Sequence, residues 1–472
     1  LRARRTWRDF ETFGDEEDHA LPPDNCQEDP EPAEAHRTSP TNLGLYLLST
    51  VAAHDCGWIG ILDATERLEA TLGSMAKLRR VQGHFCNWYD TRDLRPLEPV
   101  YVSTVDSGNL AGHLIALAQA CRELMHRPPF GPEILEGVRD ALQLVLDSVK
   151  QAEHLQRART AAEVQLREAA AAMSAGLEEP PTSLPEWVER LGELEAQAEH
   201  LLHIADTLSN DIEDGPRSEI PTWARAVRDA VRSHVRDVET TVPDAAATLG
   251  HRLSALALLA EEMVQAMDFQ FLFDSARRLF SIGYRVADGT LDPSNYDLLA
   301  SEARLASFVA IAKGDVSPRH WFLLGRPLTP VGRGAALVSW SGSMFEYLMP
   351  LIVMRQPVQS LLDLTCRLVV GRQIRYGAER KVPWGVSESA YNVRDAQLTY
   401  QYSGFGVPGL GLKRGLFEDV VVAPYATALA AMVDPRAALD NFSRLEKAGA
   451  LGTYGFYEAL DYTPSRLPEQ AR

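Results

Sequence analysis

Apolar residues recur along most of this chain at the i, i+3 and i+4 spacing of helices that face a core. The clearest of these segments are 42–53, 64–82, 110–124 and 245–273. Strand signals are few and short, at 337–340 and 420–422. The pattern therefore predicts an all-α fold in which helices alternate with loops. Such an alternation is typical of paired helices arranged around a ring, an α/α toroid whose loops surround a cleft at one end.

Composition divides the chain into four predicted parts. Residues 1–41 are polar and rich in proline, which predicts an extended lead-in. Residues 132–241 are dominated by Ala, Glu, Leu, Arg and Gln and contain few glycines, apart from a break at 214–216. This part predicts long amphipathic helices that form an insertion or a flanking bundle, with its charges on a solvated face. Residues 42–131 and 242–472 then supply the two parts of the toroid.

Charge and cysteine usage narrow the possible partners. The formal net charge of -18 over 472 residues argues against nucleic acid or anionic lipid as the main partner. The five cysteines are scattered without a CxxC pair, so we expect reduced thiols. Neither cysteine nor histidine shows ligand spacing, and we predict no metal and no cofactor. No apolar run has the length of a membrane span, and the first residues lack a signal peptide and an initiator Met, so we expect a piece of a longer polypeptide.

A glycine- and aromatic-rich run over residues 381–411 surrounds one acid, Glu388. The run contains too much Gly and Pro for a regular helix and too many aromatic rings for a solvated linker. Flat rings stack on pyranose faces, and a carboxylate beside them can act on an anomeric carbon. The run therefore favours sugar chemistry. The alternative is a buried irregular segment in which Glu388 forms a structural salt bridge.

Two further acids lie in apolar, aromatic-rich surroundings. A helical pattern over residues 296–308 puts Leu298, Glu302 and Leu305 on one face. Burial raises the pKa of such an acid, which suits a general acid, whereas a buried ion pair with Arg304 would be purely structural. Glu346 stands among apolar neighbours where a helix begins. It is a candidate for the site, and the alternative is a helix-terminal charge or a hydroxyl ligand.

Aromatic and polar residues outside the three acids suit sugar subsites, because rings stack on the sugar while polar groups hold its hydroxyls. The substrate-binding candidates are Trp88, Tyr89, Asp90, Arg92, Asp106, Asn109, Trp340, Glu346, Tyr347, Trp384, Tyr391, Asn392 and Phe405. Structural alternatives stay open for two of them. Asp106 would merely cap its helix, and Arg92 would merely pair with Asp90.

Long motifs in the same order resemble the central, glycoamylase-like region of cyclic β-1,2-glucan synthases, similar to glycoside hydrolase family 189. They lie at 39–49, 87–96, 105–113, 296–308, 339–350, 384–392, 405–415 and 421–425. The resemblance spans most of the chain and is weakest across residues 130–260. It implies an (α/α)6 barrel and an anomer-retaining transglycosylase that closes linear β-1,2-glucan into a ring.

The resemblance also implies residue roles and partners. Glu388, in its Trp-Gly-x-Ser-Glu-Ser segment, would be the nucleophile, and Glu302, in Ala-Ser-Glu-Ala-Arg, the acid/base, with Glu346 in reserve. Such a pair stands about 5–5.5 Å apart, or further if a hydroxyl or water relays the proton. The implied neighbours are glycosyltransferase and phosphorylase-like domains of the same polypeptide, at the cytoplasmic face of the inner membrane. An endo-β-1,2-glucanase and a non-catalytic glucan-holding module remain alternatives.

Overall fold

The computed structural model describes residues 1–30, 32–155, 161–209, 219–396 and 398–467. These residues form fifteen α-helices, which confirms the predicted helical class. The helices are α1 (Arg2–Thr12), α2 (Pro40–Asp55), α3 (Ile61–Lys77), α4 (Thr104–Leu124), α5 (Pro132–Leu155), α6 (Ala161–Gly176), α7 (Leu184–Ser209), α8 (Glu219–Arg236), α9 (Pro243–Ala266), α10 (Arg304–Lys313), α11 (Arg319–Leu323), α12 (Met344–Leu348), α13 (Leu361–Arg380), α14 (Pro424–Ala430) and α15 (Pro435–Lys447). The predicted break at 214–216 lies outside the described residues.

The strands are two to six residues long and pair in small antiparallel ladders. They are β1 (Cys26–Gln27), β2 (Ala33–Glu34), β3 (Arg37–Thr38), β4 (Arg80–Val81), β5 (His84–Phe85), β6 (Tyr89–Asp90), β7 (Tyr101–Ser103), β8 (Phe273–Asp274), β9 (Leu279–Ser281), β10 (Gly283–Arg285), β11 (Thr290–Leu291), β12 (Asn295–Tyr296), β13 (Leu328–Val331), β14 (Gly334–Leu337), β15 (Ser389–Arg394), β16 (Tyr400–Ser403), β17 (Val421–Val422), β18 (Leu451–Gly452), β19 (Gly455–Phe456) and β20 (Leu460–Asp461). Within the described ranges the largest sheets have three strands, in the orders β11-β10-β7 and β12-β9-β8.

One compact unit comprises Leu1–Glu11, Tyr46–Met75 and Leu117–Ala260. Its core is built from the apolar faces of α5, α6, α7 and α8, around the fully buried Trp223. These are the long amphipathic helices that composition predicted, and each one buries a stripe of leucine, valine and alanine side chains against the others. The predicted bounds of the insertion, 132–241, remain a prediction.

The extended conformation predicted for residues 1–41 is wrong at its start, where α1 is a regular helix. Trp7 is buried on one face of α1, and Arg4 is 1% exposed. The Arg4 guanidinium lies 5.9 Å from the Trp58 ring centre and 5.6 Å from the Trp223 ring centre. The guanidinium also donates to both carboxylate oxygens of Glu11, at 2.8 and 3.1 Å, so its charge is paired as well as attracted to the ring faces. The polar composition of this segment therefore led us to expect less burial than the structure shows.

The second compact unit comprises Thr12–Leu45, Ala76–Ala116 and Glu261–Arg472. Its core gathers apolar side chains from α12, α13, α14 and α15 and from the loops between them.

All five cysteines are free thiols, in agreement with the prediction. Among the described residues, no helix is both long and apolar enough to cross a membrane.

Two helix boundaries differ from the predicted ones for local reasons. Helix α3 ends at Lys77, before the predicted end at 82, because β4 and β5 form a hairpin there. Gly83 in the hairpin turn has φ +79°, and a Cβ on it would lie 1.7 Å from the Ala266 carbonyl oxygen, so only glycine fits. Helix α10 begins at Arg304, so Glu302 precedes the helix, and the predicted helical face with Leu298 is wrong.

The start of α3 depends on a buried aspartate that is distant in sequence. Asp237 is 1% exposed, and its carboxylate accepts hydrogen bonds from the backbone amides of Ile61 at 2.9 Å and Leu62 at 3.1 Å. These amides belong to the group at a helix start that has no partner within the helix. Asp237 therefore acts as a cap supplied by another part of the chain.

We predict that Asp237→Ala lowers the free energy of unfolding by about 1–3 kcal/mol, because both capped amides lose their acceptor in a buried place. Asp237→Asn keeps one acceptor oxygen and should lose less. Asp206→Ala, whose side chain is 51% exposed, is the matched control. Chemical unfolding of the three variants measures the difference. Equal stability of the Asp237→Ala and Asp206→Ala proteins would contradict the capping role.

Candidate active site

The segment that carries Glu388 is clamped by two buried amide side chains. Gln373 on α13 donates to the Val386 carbonyl at 2.7 Å and accepts from the Val386 amide at 2.9 Å. Asn441 on α15 makes the same pair of bonds to Trp384, at 2.8 and 3.1 Å. An irregular segment cannot satisfy its own backbone groups, so these side chains replace the hydrogen bonds that a helix or sheet would supply.

Glycine is required between these two clamped residues. Gly385 has φ +123°, a conformation that L side chains rarely adopt, and a Cβ on it would lie 3.2 Å from the Ala423 carbonyl oxygen. Beyond this turn, the Tyr425 hydroxyl lies 2.8 Å from the Ser387 hydroxyl oxygen and 2.8 Å from the Glu388 carbonyl. The backbone of Glu388 is therefore fixed on both sides while its carboxylate stays half-buried.

Glu302 lies in the loop between β12 and α10 and is also half-buried. Its carboxylate has a weak contact with the Ser301 hydroxyl at 3.4 Å. The predicted alternative, an ion pair with Arg304, is wrong, because the Arg304 guanidinium binds backbone carbonyls instead. Within the described part of the chain, no basic nitrogen lies at ion-pair distance from either Glu302 or Glu388. Among the residues that the structure describes, neither acid therefore has a salt bridge that would give it a purely structural role.

Glu346 is held in a different way, by a cage of serines. It is 6% exposed, and its carboxylate accepts from the hydroxyls of Ser339 and Ser341 at 2.7 Å and from the Ser343 amide at 3.2 Å. With Ser343 it also forms a capping box at the start of α12. The structure thus confirms the helix-terminal alternative for Glu346. Most of these bonds go to Oε2, whereas among the described residues Oε1 accepts only from the Ser341 amide, at 3.0 Å, so the substrate-binding role of Glu346 remains a prediction.

The three carboxylates perturb one another. Burial, together with the negative charges of Glu346 and Glu388, raises the pKa of Glu302 to about 8. Burial and the charge of Glu346 raise the pKa of Glu388 to about 7, against a lowering by the hydrogen bond from Tyr402. A like charge nearby disfavours the ionised form of an acid, as does loss of water. Of the two acids, Glu302 therefore holds its proton to the higher pH.

Three tyrosine hydroxyls face these acids. Burial and the charge of Glu388 raise the pKa of Tyr402 and of Tyr425, and burial and the charge of Glu302 raise the pKa of Tyr296. All three therefore stay neutral hydroxyl groups near pH 7. Tyr402 is 61% exposed although burial raises its pKa, a combination that fits the wall of a water-filled cleft.

Asp106 joins the acids from the first turn of α4. Its carboxylate accepts from the Thr41 hydroxyl at 2.6 Å, and its charge contributes to the raised pKa of Glu388. With the Asn87 amide oriented to satisfy its neighbours, Asn87 donates to Asp106 at 2.8 Å and accepts from the Trp88 indole at 3.0 Å. Asn109 also reaches Thr41, at 3.3 Å. The structure thus links Asp106, Trp88 and Asn109, which were predicted separately.

Some of the predicted substrate-binding side chains are buried. Tyr89, Tyr347 and Trp384 are 0%, 1% and 2% exposed, and their rings offer no face to a sugar in this conformation. Arg92 lies 3.9 Å from Asp90, which is the structural alternative for that pair. The substrate-binding roles of these five residues remain predictions, and their observed contacts are those of packing and turn formation.

Tyr391, Asn392 and Phe405 lie together, in a cluster around Arg466. The Arg466 guanidinium is 5.0 Å from the Tyr391 ring centre, and Tyr391 meets Phe405 edge-on at 5.4 Å. The Asn392 side chain donates to the Arg466 carbonyl at 3.1 Å. Trp340 differs from them, because its ring is 63% exposed next to the serine cage. Its position suits stacking on a sugar better than that of the buried aromatic residues.

The sequence analysis missed Gln373, Asn441, Tyr402 and Tyr425. A signal existed for Gln373, which follows Val369 by one helical turn on the buried face of α13 and is itself 0% exposed. A polar side chain at a core position indicates a buried hydrogen-bond partner. The tyrosines gave no such signal, because their partner Glu388 lies on a different segment.

A group of possible metal ligands lies outside the acid cluster. Ligand atoms of Asp18, Glu34 and His36 fall within 4.8 Å of one another. His36 already lies 3.0 Å from the Asp18 carboxylate, which also accepts from Thr91. These internal hydrogen bonds account for the grouping, and we propose no metal there.

The arrangement can carry out acid/base and nucleophilic chemistry on a neutral polymer. It offers two half-buried acids with raised and unequal pKa values, a fixed third carboxylate and neutral hydroxyl donors. Unequal pKa values let one acid donate a proton while the other is ionised.

Comparison with known proteins agrees with this picture. Residues 295–470 match the Glycoamylase family model, described as "Putative glucoamylase", and they include all three acids. The sequence is 46% identical to the cyclic β-(1,2)-glucan synthase NdvB of Rhizobium meliloti. The alignment is 472 residues long and covers 99% of this chain. The chain spans 16% of that relative's length.

Solved structures of low sequence identity share the fold. An endo-β-1,2-glucanase from Chitinophaga pinensis, solved with sophorotriose and glucose, superposes with a TM-score of 0.58 at 10% identity, covering 98% of this chain and 85% of that one. An endo-β-1,2-glucanase from Talaromyces funiculosus with sophorose gives 0.57 at 10% identity, covering 97% and 78%. The predicted (α/α)6 fold is thereby confirmed, and over nearly its whole length the chain is similar to one segment of a cyclic β-1,2-glucan synthase.

Proposed function

We propose that this chain is an anomer-retaining transglycosylase that cyclises linear β-1,2-glucan. The observation that carries the proposal is the pair Glu302 and Glu388, two acids with raised and unequal pKa values and with no salt bridge among the described residues. The relative with 46% identity is named as a cyclic β-(1,2)-glucan synthase, which supports the choice of polymer.

The order of the two pKa values supports the assignment of roles. A nucleophile must be ionised, and Glu388 has the lower pKa, about 7. A general acid must hold its proton, and Glu302 has the higher pKa, about 8. Because the two acids repel each other's charge, protonation of Glu302 favours ionisation of Glu388.

The reaction has two displacements. In the first, a Glu388 oxygen bonds to the anomeric carbon of an internal glucose unit, the glycosidic C–O bond breaks, and the Glu302 proton passes to the departing oxygen. In the second, Glu302 takes the proton of an acceptor hydroxyl, whose oxygen bonds to the anomeric carbon and releases Glu388. If the acceptor is the 2-hydroxyl at the non-reducing end of the same chain, the product is a ring. If it is water, a shorter linear chain results.

The balance between transfer and hydrolysis depends on how well the acceptor sugar is held and water is excluded. The exposed ring of Trp340 and the indole of Trp88, which is tied through Asn87 to Asp106, are the best placed of the predicted walls. We further propose that the chain acts within a larger polypeptide, beside glycosyltransferase and phosphorylase-like domains, at the cytoplasmic face of the inner membrane. The 16% share of the relative's length supports a larger context.

We predict that incubation with long linear β-1,2-glucan yields products that lack the mass of one water relative to linear chains of equal length. Glu302→Gln and Glu388→Gln should each lower the rate by about 10²–10⁴-fold or more, because each removes a group that acts in bond breaking. The exposed Glu418→Gln is the matched control. Mass spectrometry of timed samples measures both. Linear products alone would indicate a glucanase, and unchanged glucan would indicate a holding module.

Azide distinguishes the two roles. In Glu388→Ala, azide can enter the space of the missing nucleophile and attack the anomeric carbon from the face opposite the leaving oxygen, so we expect an α-glycosyl azide. In Glu302→Ala, azide attacks the glycosyl-enzyme and should give the β-azide. NMR of the products identifies the anomer. The reverse pattern would exchange the roles, and an inverting mechanism could give an α-azide but no β-azide, because the β-azide requires a glycosyl-enzyme.

We predict a bell-shaped dependence of kcat/KM on pH, with its maximum between about 7 and 8. Activity should rise as Glu388 ionises, near its pKa of about 7, and fall as Glu302 loses its proton, near its pKa of about 8. The yields of reducing ends and of rings, measured from about pH 5 to about pH 10, test this, because that range extends beyond the pKa values of both acids. Activity that stays constant through this range would contradict the pair.

We predict that Glu346→Gln moves both the rising (acidic) limb and the falling (basic) limb of the pH profile of kcat/KM to lower pH. The charge of Glu346 raises the pKa of Glu302 and of Glu388, so removing it lowers both. The amide would also place donors against donors of the serine cage, which should lower the free energy of unfolding by about 1–3 kcal/mol. Thermal unfolding and the pH profile separate the two effects, with Glu418→Gln as control. Limbs that do not move would show that Glu346 acts only as a helix cap.

A further inference from the structure

A fully buried arginine lies behind the acids. Arg304, the first residue of α10, is 1% exposed. Its guanidinium donates to three backbone carbonyls: Ser301 at 2.9 Å, Glu346 at 2.9 Å and Tyr347 at 2.6 Å. A planar guanidinium can bind several acceptors at fixed angles, which a lysine ammonium cannot reproduce.

These three carbonyls belong to two segments that the sequence separates by about forty residues. Ser301 directly precedes Glu302, whereas Glu346 and Tyr347 lie on α12, which carries the serine-caged carboxylate. The guanidinium therefore fixes the backbone of the Glu302 loop against the backbone of α12. Since one end of this connection is the residue next to Glu302, a change of the connection moves the Glu302 carboxylate.

The charge of Arg304 has no carboxylate in contact. In the described residues no acid lies within ion-pair distance of its nitrogens, and Nε has no hydrogen-bond partner. Burying an arginine against neutral carbonyls alone is unfavourable, because it loses hydration that dipoles replace only in part. A structural need for three hydrogen bonds does not require a positive charge. A positive charge does act on Glu302, because it favours the ionised form of that carboxylate.

The groups that face this arginine and Glu302 come from several elements. Glu302, Tyr347 and Cys366 of α13 act electrostatically on Arg304. Those that face Glu302 are Glu346, Glu388, Tyr296 and Arg304 itself. Among these, Arg304 is the cation, and its charge lowers the pKa of Glu302 against the combined raising by burial and the two acids.

We infer that Arg304 is a positioning residue that fixes Glu302 against α12 and places a positive charge near the Glu302 carboxylate. The inference rests on the proposed function, since Glu302 is the proton donor there. It assigns to one buried side chain two separable contributions, the three-carbonyl connection and the positive charge. A purely structural arginine would contribute only the first.

Two substitutions separate these contributions. Arg304→Lys keeps the charge, but its single nitrogen cannot reproduce the geometry of a planar guanidinium with the three carbonyls, so kcat/KM should fall by about tenfold or more at every pH, because the acid is misplaced. Its basic limb should stay where the wild-type limb lies. Arg304→Met keeps much of the volume but removes the charge, so the pKa of Glu302 should rise, and the basic limb should move to higher pH in addition to the loss of rate. Arg372→Met, on the surface side of α13, is the control.

A second readout does not depend on turnover. The carbon-13 carboxyl resonance of Glu302, assigned by its loss in Glu302→Gln, reports its pKa directly in each variant. We expect an upward shift in Arg304→Met and little shift in Arg304→Lys. If Arg304→Met does not fold, Arg304→Gln, which is uncharged and polar, replaces it in the same measurement.

The outcomes separate this inference from the proposed function. An unshifted Glu302 resonance in the uncharged variant, or an equal shift in Arg304→Lys, would overturn the charge contribution. Full activity of Arg304→Lys would overturn the positioning contribution. Failure of the wild type to cleave glucan would overturn the proposed function instead, and the carboxyl titration would still decide whether Arg304 controls the pKa of Glu302.

Discussion

Repulsion between carboxylates at one site is the constraint that the surrounding structure must satisfy. Glu302 experiences the charges of Glu346 and Glu388, Glu388 experiences that of Glu346, and burial reduces the screening by water. The structure surrounds the three acids in two different ways. It surrounds Glu346 with serine donors, so that its charge is stabilised in place, and it leaves the other two acids half-buried and without a salt bridge in the described residues. Their raised pKa values follow from that difference.

Rigid support of the backbone accompanies this electrostatic arrangement. The Glu388 segment has no helix or sheet to hold it, and the amides of Gln373 and Asn441 satisfy its backbone instead. On the other side, Arg304 binds carbonyls next to Glu302 and Glu346. Catalytic groups that repel one another need such support, because repulsion would otherwise move them apart. Buried polar side chains in helices α13 and α15 therefore serve the site although they contact no substrate.

The helices α5 to α8 obey a simpler rule. Their apolar stripes form a core of leucine, valine and alanine around Trp223, and a few polar side chains, such as Ser148, Glu163 and His234, are buried with them. Amphipathic helices of this kind are specified locally, because the period of 3.6 residues alone determines which side is buried. The arginine-rich α1 departs from the rule, since an ion pair with Glu11 and contacts with two indole rings allow Arg4 to be buried. Hydropathy scales cannot anticipate this, because they assign a fixed cost to the charge without regard to its neighbours.

The sequence by itself determined the helical class, the clearest core-facing helices and the long amphipathic helices, and it singled out three acids as candidates for the site. These features depend on periodicity and on residue type within a short window, where local physical chemistry is sufficient. Motif order added the resemblance to cyclic β-1,2-glucan synthases. Only the tertiary structure decided that Glu302 precedes its helix, that Arg304 binds carbonyls rather than Glu302, and that Glu346 is a capped charge. Those outcomes depend on contacts between segments far apart in the chain, and the pKa of a carboxylate is set by the atoms around it and not by its neighbours in sequence.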